Sequence, residues 1–111
     1  MNFRQEIKQR EKRIIELLRK NKNENTPEKR AWKQMLIYYE IKDYLDGSNH
    51  IEIIASVYNY LNFSYKTLFR LADDNHIGER TIYRYRKQYL SCFEFCYRMC
   101  LKMPYNVLSN A

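Results

Sequence analysis

Two glycines and two prolines are all that punctuate this 111-residue chain, and that scarcity constrains its fold more than any other feature. Turns and strand ends draw on glycine and proline, whereas the apolar residues here recur at the steps of three and four that mark an amphipathic helix. No run alternates apolar and polar in the manner of a half-buried strand. An all-α protein is expected.

Along the chain, Phe3, Ile7, Ile14, Leu17 and Leu18 form one stripe of a first helix, from Asn2 to Lys20. Asn21 to Asn25 is a polar connection. Thr26-Pro27-Glu28 then gives a start signal, with Thr26 as N-cap, Pro27 at the first helical position and Glu28 beside the positive helix end. This second helix should run to Leu45 and carry Trp32, Met35, Leu36, Tyr39, Tyr38, Ile41 and Tyr44 as an apolar surface for its neighbours. Asp46-Gly47-Ser48-Asn49 ends it. Ile51, Ile54, Val57, Tyr58 and Leu61 repeat at helical spacing in a third helix, and Ser64 can cap a fourth, Tyr65 to Asp74, with Leu68, Leu71 and Ala72 inward. A long fifth helix begins at Glu79 and meets no breaker before Pro104, with Phe93, Tyr97 and Leu101 available to dock on the body or a second subunit.

Leu71 to Arg84 has the pattern of a helix-turn-helix. Ala72 is small where two helices must cross closely, Leu71, Ile77 and Ile82 supply buried contacts, and Gly78-Glu79-Arg80-Thr81 opens the helix that would offer its N-terminal residues to base edges. The stretch resembles the helix-turn-helix of the sigma-factor domain that reads the upstream promoter element, whose usual text is I-A-x-x-L-G-I-S-x-R-T-V. More widely, Ile51 to Leu90, with Tyr58-Asn59-Tyr60, Lys66-Thr67-Leu68 and Arg80-Thr81-Ile82-Tyr83-Arg84, resembles phage late-gene transcriptional activators of the RinA and ArpU type. The resemblance implies a small, basic protein with a C-terminal helix-turn-helix. Three positions depart from it: Asn75 stands for the usual core leucine, His76 for the turn glycine and Gly78 for the capping serine. Asparagine accepts a left-handed backbone more readily than histidine, which allows a small shift of the turn.

The expected organisation is thus an N-terminal helical arm or hairpin (1–47) for dimerisation or packing, a helix-turn-helix bundle (48–104) and a tail (105–111). The net charge of +7 suits a protein held on phosphate. Arg80, Thr81, Tyr83, Arg84 and Lys87 fall opposite Ile82, Tyr85 and Tyr89 on the fifth helix, and with Glu79 they are the expected base-reading set. An arginine there can hold a guanine edge with two hydrogen bonds, for about 1–3 kcal/mol of discrimination, and Glu79 can accept from cytosine. Lys66, Thr67, Arg70 and Arg86 are the expected phosphate contacts.

Cys92, Cys96 and Cys100 climb one helix in steps of four. They do not converge as a metal needs, and an odd number in one segment is poor material for a disulfide framework, so they should remain packed thiols. His50 and His76 belong to no ligand set and suit cap or turn roles. Most tyrosines sit at core spacing; Tyr58, Tyr85 and Tyr89 should keep their hydroxyls at the surface, leaving Tyr83 and Tyr65 as DNA contacts. There is no glycine-rich phosphate loop, no His/acid pair at metal spacing and no nucleophile motif, so neither an enzyme nor a cofactor is expected. No stretch approaches the ~20 apolar residues of a membrane span, and Met1 to Arg13 alternates charges where a signal peptide would be apolar, so a cytoplasmic protein without membrane contact is expected.

These features lead to a sequence-specific regulator that binds double-stranded DNA, encoded by a phage or prophage, working as a homodimer and contacting RNA polymerase. Two alternatives stand beside it. One is the small subunit of a DNA-packaging terminase; the other is an adaptor that binds a protein through a Trp32 and Tyr39 surface.

Overall fold

The computed structural model describes residues 2–19, 25–58, 70, 72–73 and 76–102. Among these residues there are four helices and no strand, an all-α fold: α1 (Phe3–Arg19), α2 (Pro27–Asp46), α3 (His50–Tyr58) and α4 (Glu79–Lys102). The helix expected to begin at Glu79 is α4. The helix expected over Tyr65 to Asp74 lies outside the described residues except for Arg70, Ala72 and Asp73, as do Leu61 and the tail 105–111.

The helix ends have identifiable causes. At α1, the Asn2 side chain accepts from the Gln5 N–H at 2.9 Å and the Gln5 side chain accepts from the Asn2 N–H at 3.3 Å, a reciprocal capping box. At α2, the Thr26 hydroxyl accepts from the Lys29 N–H at 3.3 Å and Pro27 takes the first helical position. Gly47 ends α2 at φ 68°, its N–H donating to the Asp43 carbonyl at 2.8 Å. That backbone suits a residue without a Cβ. The N-terminus of α3 is capped from a distance: Asp43 accepts from the N–H groups of His50 at 2.9 Å and Ile51 at 2.8 Å, and from the Ser48 hydroxyl at 2.9 Å. A carboxylate there satisfies orphan donors and opposes the positive helix end.

Packing centres on α4. Glu28 accepts from the Tyr97 hydroxyl at 3.4 Å, Trp32 lies 6.1 Å from Phe93 and Tyr39 lies 4.9 Å from Tyr89, centroid to centroid, so α2 runs antiparallel to α4. α1 runs parallel to it, with Arg4 at Glu79 and Arg10 at Glu94. One core joins all four helices: Ile7 and Ile14, Ala31, Met35 and Tyr39, Ile53, Ile54 and Val57, Ile82, Leu90 and Phe93. Each such large aliphatic side chain contributes about 1.5–3 kcal/mol on burial. The boundary expected at residue 47 therefore divides the sequence without dividing the core.

Three expectations about apolar and aromatic residues need correction. Tyr38, Ile41 and Tyr44 do not pack inward; with Ile37 and Leu45 they form an exposed stripe, Tyr44 at 87%. The apolar residues of α2 wrap further round the helix than its packed neighbours cover. Trp32 and Tyr39 do not form an adaptor surface either, because Trp32 stands edge-on to Tyr58 at 5.1 Å and Tyr39 is buried. Nor do the Tyr58 and Tyr89 hydroxyls reach the surface. That of Tyr58 is buried, and that of Tyr89 lies 2.7 Å from His50 Nδ1 inside a cluster of Tyr39, His50, Tyr85 and Tyr89 rings.

Candidate nucleic-acid interface

The turn before α4 is built on a histidine. His76 takes φ 54°, its N–H donates to the Asp73 carbonyl at 3.1 Å, and the Ile77 N–H donates to the Ala72 carbonyl at 3.0 Å. These two bonds are the pair of a Schellman motif, with His76 at the left-handed position. The turn has not shifted to avoid histidine. His76 holds the conformation that glycine usually supplies, at a cost of about 1–2 kcal/mol for an L-residue. Gly78 follows as N-cap, its carbonyl accepting from the Ile82 N–H at 3.2 Å, and it offers no side chain to the free N–H groups.

α4 then presents three faces. Toward α2 and α3 it buries Ile82, Tyr89 and Phe93. Toward α1 it presents Glu79, Tyr83 and Arg86. Toward solvent it presents Arg80, Arg84, Lys87, Gln88, Ser91, Arg98 and Lys102.

Three expected assignments therefore change. Arg86, at 1% exposure, is enclosed by the protein and holds Glu11 bidentately: Nε donates to Oε2 at 2.9 Å and Nη2 to Oε1. Burial alone would drive this guanidinium toward its neutral form, but the hydrogen bonds and charge of Glu11 outweigh burial and raise its pKa. It is not a phosphate contact. Tyr83, at 3% exposure, is clasped between the Arg4 and Arg86 guanidiniums, each 4.7 Å from its ring centroid, and does not face a groove. Glu79 is engaged by Arg4 at 3.2 Å instead of standing free for cytosine. Arg86, Tyr83 and Glu79 share one reason: α1 covers that side of the expected reading helix. Thr81 is partly buried and lies one turn before Arg84.

Arg80, Arg84 and Lys87 remain exposed on adjacent turns, with Lys87 also lying 5.4 Å above the Phe3 ring. Arg70 is exposed, and Lys66, Thr67 and Tyr65 lie outside the described residues. Gln88, Arg98 and Lys102 of α4 are exposed too and are absent from the expected set. They continue the Arg80–Arg84–Lys87 stripe, so helical periodicity alone was enough to find them.

The electrostatics are unevenly distributed. α1 carries six cations and three acids and α4 six cations and two acids, so these two helices together match the +7 of the whole chain. α2 is balanced, with four cations and four acids. Both acids of α4 are held by α1 arginines, Glu79 by Arg4 and Glu94 by Arg10.

Cys92 and Cys96 are held in their thiol form. Burial first, and Cys96 second, push the Cys92 thiol up to about 12, and burial raises Cys96 as well. Among the described residues no three metal-ligating side chains gather at one point, and no helix is long and apolar enough to cross a membrane. No protein-family model matches the chain, and neither the curated proteins nor the solved structures give a match.

Proposed function

We propose that this protein is a sequence-specific regulator of transcription that binds double-stranded DNA, acts in the cytoplasm, and belongs with phage late-gene activators. One observation carries the reading: Arg80, Arg84 and Lys87 stand exposed on one face of the first turns of α4, directly after the turn at His76. A helix that follows such a turn presents its N-terminal residues to the major groove. Arg80 and Arg84 read base edges there, and Lys87 and Arg70 hold phosphate. A pair of such subunits, with RNA polymerase as protein partner, completes the role. No chemical step is involved.

The test is binding of purified protein to fragments of its own genomic neighbourhood, at several salt concentrations and against random competitor. A preference of about a thousandfold or more is expected of a specific site. Equal binding to every fragment would overturn sequence-specific reading.

A second reading, a DNA-packaging protein of the small-terminase kind, draws on the exposed apolar stripe Ile37, Tyr38, Ile41, Tyr44 and Leu45 of α2, which suits self-association. A ring of eight or more subunits in light scattering would select it over a monomer or dimer.

A further inference from the structure

The cations of α4 do not stop where a recognition helix would leave the groove. From Arg80 to Lys102 the helix rises about 33 Å, and Arg84 and Arg98 are separated by about 21 Å. The major groove is about 12 Å wide. Arg98 and Lys102 therefore stand farther from Arg84 than the groove is wide, on the same exposed face. Neither has an acidic partner among the described residues.

That face lacks free acid because of α1. The two helices lie parallel in a fixed register: Arg4 to Glu79 and Glu11 to Arg86 both span 75 residues, while Phe3 to Lys87 and Arg10 to Glu94 share a second, longer offset. The register sets Arg4 on Glu79 and Arg10 on Glu94, the only acids of α4. The buried Glu11–Arg86 pair locks it, because sliding α1 by one turn would leave two charges buried and apart.

We propose that the DNA-binding surface runs the whole length of α4, that Arg98 and Lys102 hold a second stretch of phosphate backbone outside the groove, and that Arg4 and Arg10 of α1 act as positioning residues by neutralising Glu79 and Glu94. This rests on the reading of α4 as a DNA-binding helix. The partner is duplex DNA: the contacts are cationic, spaced along a rod, and carry no base-reading geometry, as expected of backbone contacts.

The experiment is a salt titration of binding to a duplex fragment by the full chain. Arg98→Ala with Lys102→Ala should weaken specific and random duplex alike and lower the slope of log affinity against log salt by about 1.8, two phosphates at about 0.9 each. Arg10→Gln should weaken binding by exposing Glu94, and Arg10→Gln with Glu94→Gln should restore it, because that double change leaves the net charge as it was. Circular dichroism melts confirm that these surface variants fold.

If the Arg98/Lys102 variant keeps the wild-type affinity and slope while Arg80→Ala with Arg84→Ala abolishes binding, the extended surface is wrong and the reading of α4 stands. If the Arg10/Glu94 double variant stays as weak as Arg10→Gln alone, Arg10 touches phosphate itself and the masking role is wrong. If the wild-type protein binds no DNA, both the inference and the reading beneath it fall.

Discussion

α4 meets α2 and α1 by opposite means. Its α2 side is close-packed and largely apolar, built from Met35, Trp32, Tyr39, Tyr89 and Phe93. Its α1 side is ionic, with a buried Glu11–Arg86 pair flanked by exposed Arg4–Glu79 and Arg10–Glu94 pairs. Apolar packing yields net stability, whereas a buried ion pair roughly repays its own desolvation and fixes geometry instead. The contrast teaches that α2 holds α4 in the fold while α1 sets the charge and register of its other flank.

The sharpest way to break that comparison is to empty each side in turn. Met35→Ala should cost about 2–5 kcal/mol, as expected for a fully buried side chain whose cavity cannot collapse. Glu11→Gln should cost about 3–5 kcal/mol by stranding the Arg86 charge. The two sides should then part company: Glu11→Met combined with Arg86→Leu should recover most of the loss or exceed wild type, as no second change can do for Met35→Ala. Urea unfolding midpoints decide this, and a double variant as unstable as Glu11→Gln would show that the α1 side is held by more than its charges.

A smaller effect should appear with pH at the aromatic cluster on the α2 side. Burial lowers the pKa of His50 below its ordinary value of about 6.5, with Asp43 and Asp46 opposing and Lys42 assisting. The folded state thus favours the neutral ring. Its contribution to stability is whole above the unfolded pKa of about 6.5 and is lost as pH falls through that value toward the lower folded one. The urea midpoint of the wild type should drop between pH 7.5 and 5.5, and that of His50→Gln should drop less. Equal drops would remove His50 as the source.

The smallest effect belongs to the turn. A Cβ at Gly78 would meet nothing within 4 Å, and the position caps α4. Gly78→Ser should therefore raise stability by a few tenths of a kcal/mol. A loss of stability would mean that the backbone at Gly78 is not that of a cap.

What the sequence disclosed depended on how local the cause was. The start of α2 at Thr26-Pro27 and of α4 at Glu79 could be read because the signals lie within a few neighbouring residues. The Asn2–Gln5 capping box has the same locality and was overlooked despite its Asn-x-x-Gln spacing. Arg86 was different. Periodicity gave its angle on the helix but not what lies against that angle, and its partner Glu11 is 75 residues away in sequence. A basic residue on a basic helix reads as exposed unless a distant carboxylate is known to reach it. The same ignorance of neighbours misplaced Tyr83, and in reverse it buried Tyr44, which no helix among the described residues covers.

The most direct test of the central claim, that the exposed N-terminal stripe of α4 engages double-stranded DNA, is the salt-dependent affinity of Arg80→Ala with Arg84→Ala set beside the wild type on one operator fragment and on random duplex. The expected result is a folded protein that has lost its preference for the operator and binds both duplexes with the same weak affinity. A folded double variant that still prefers the operator as the wild type does would contradict the account.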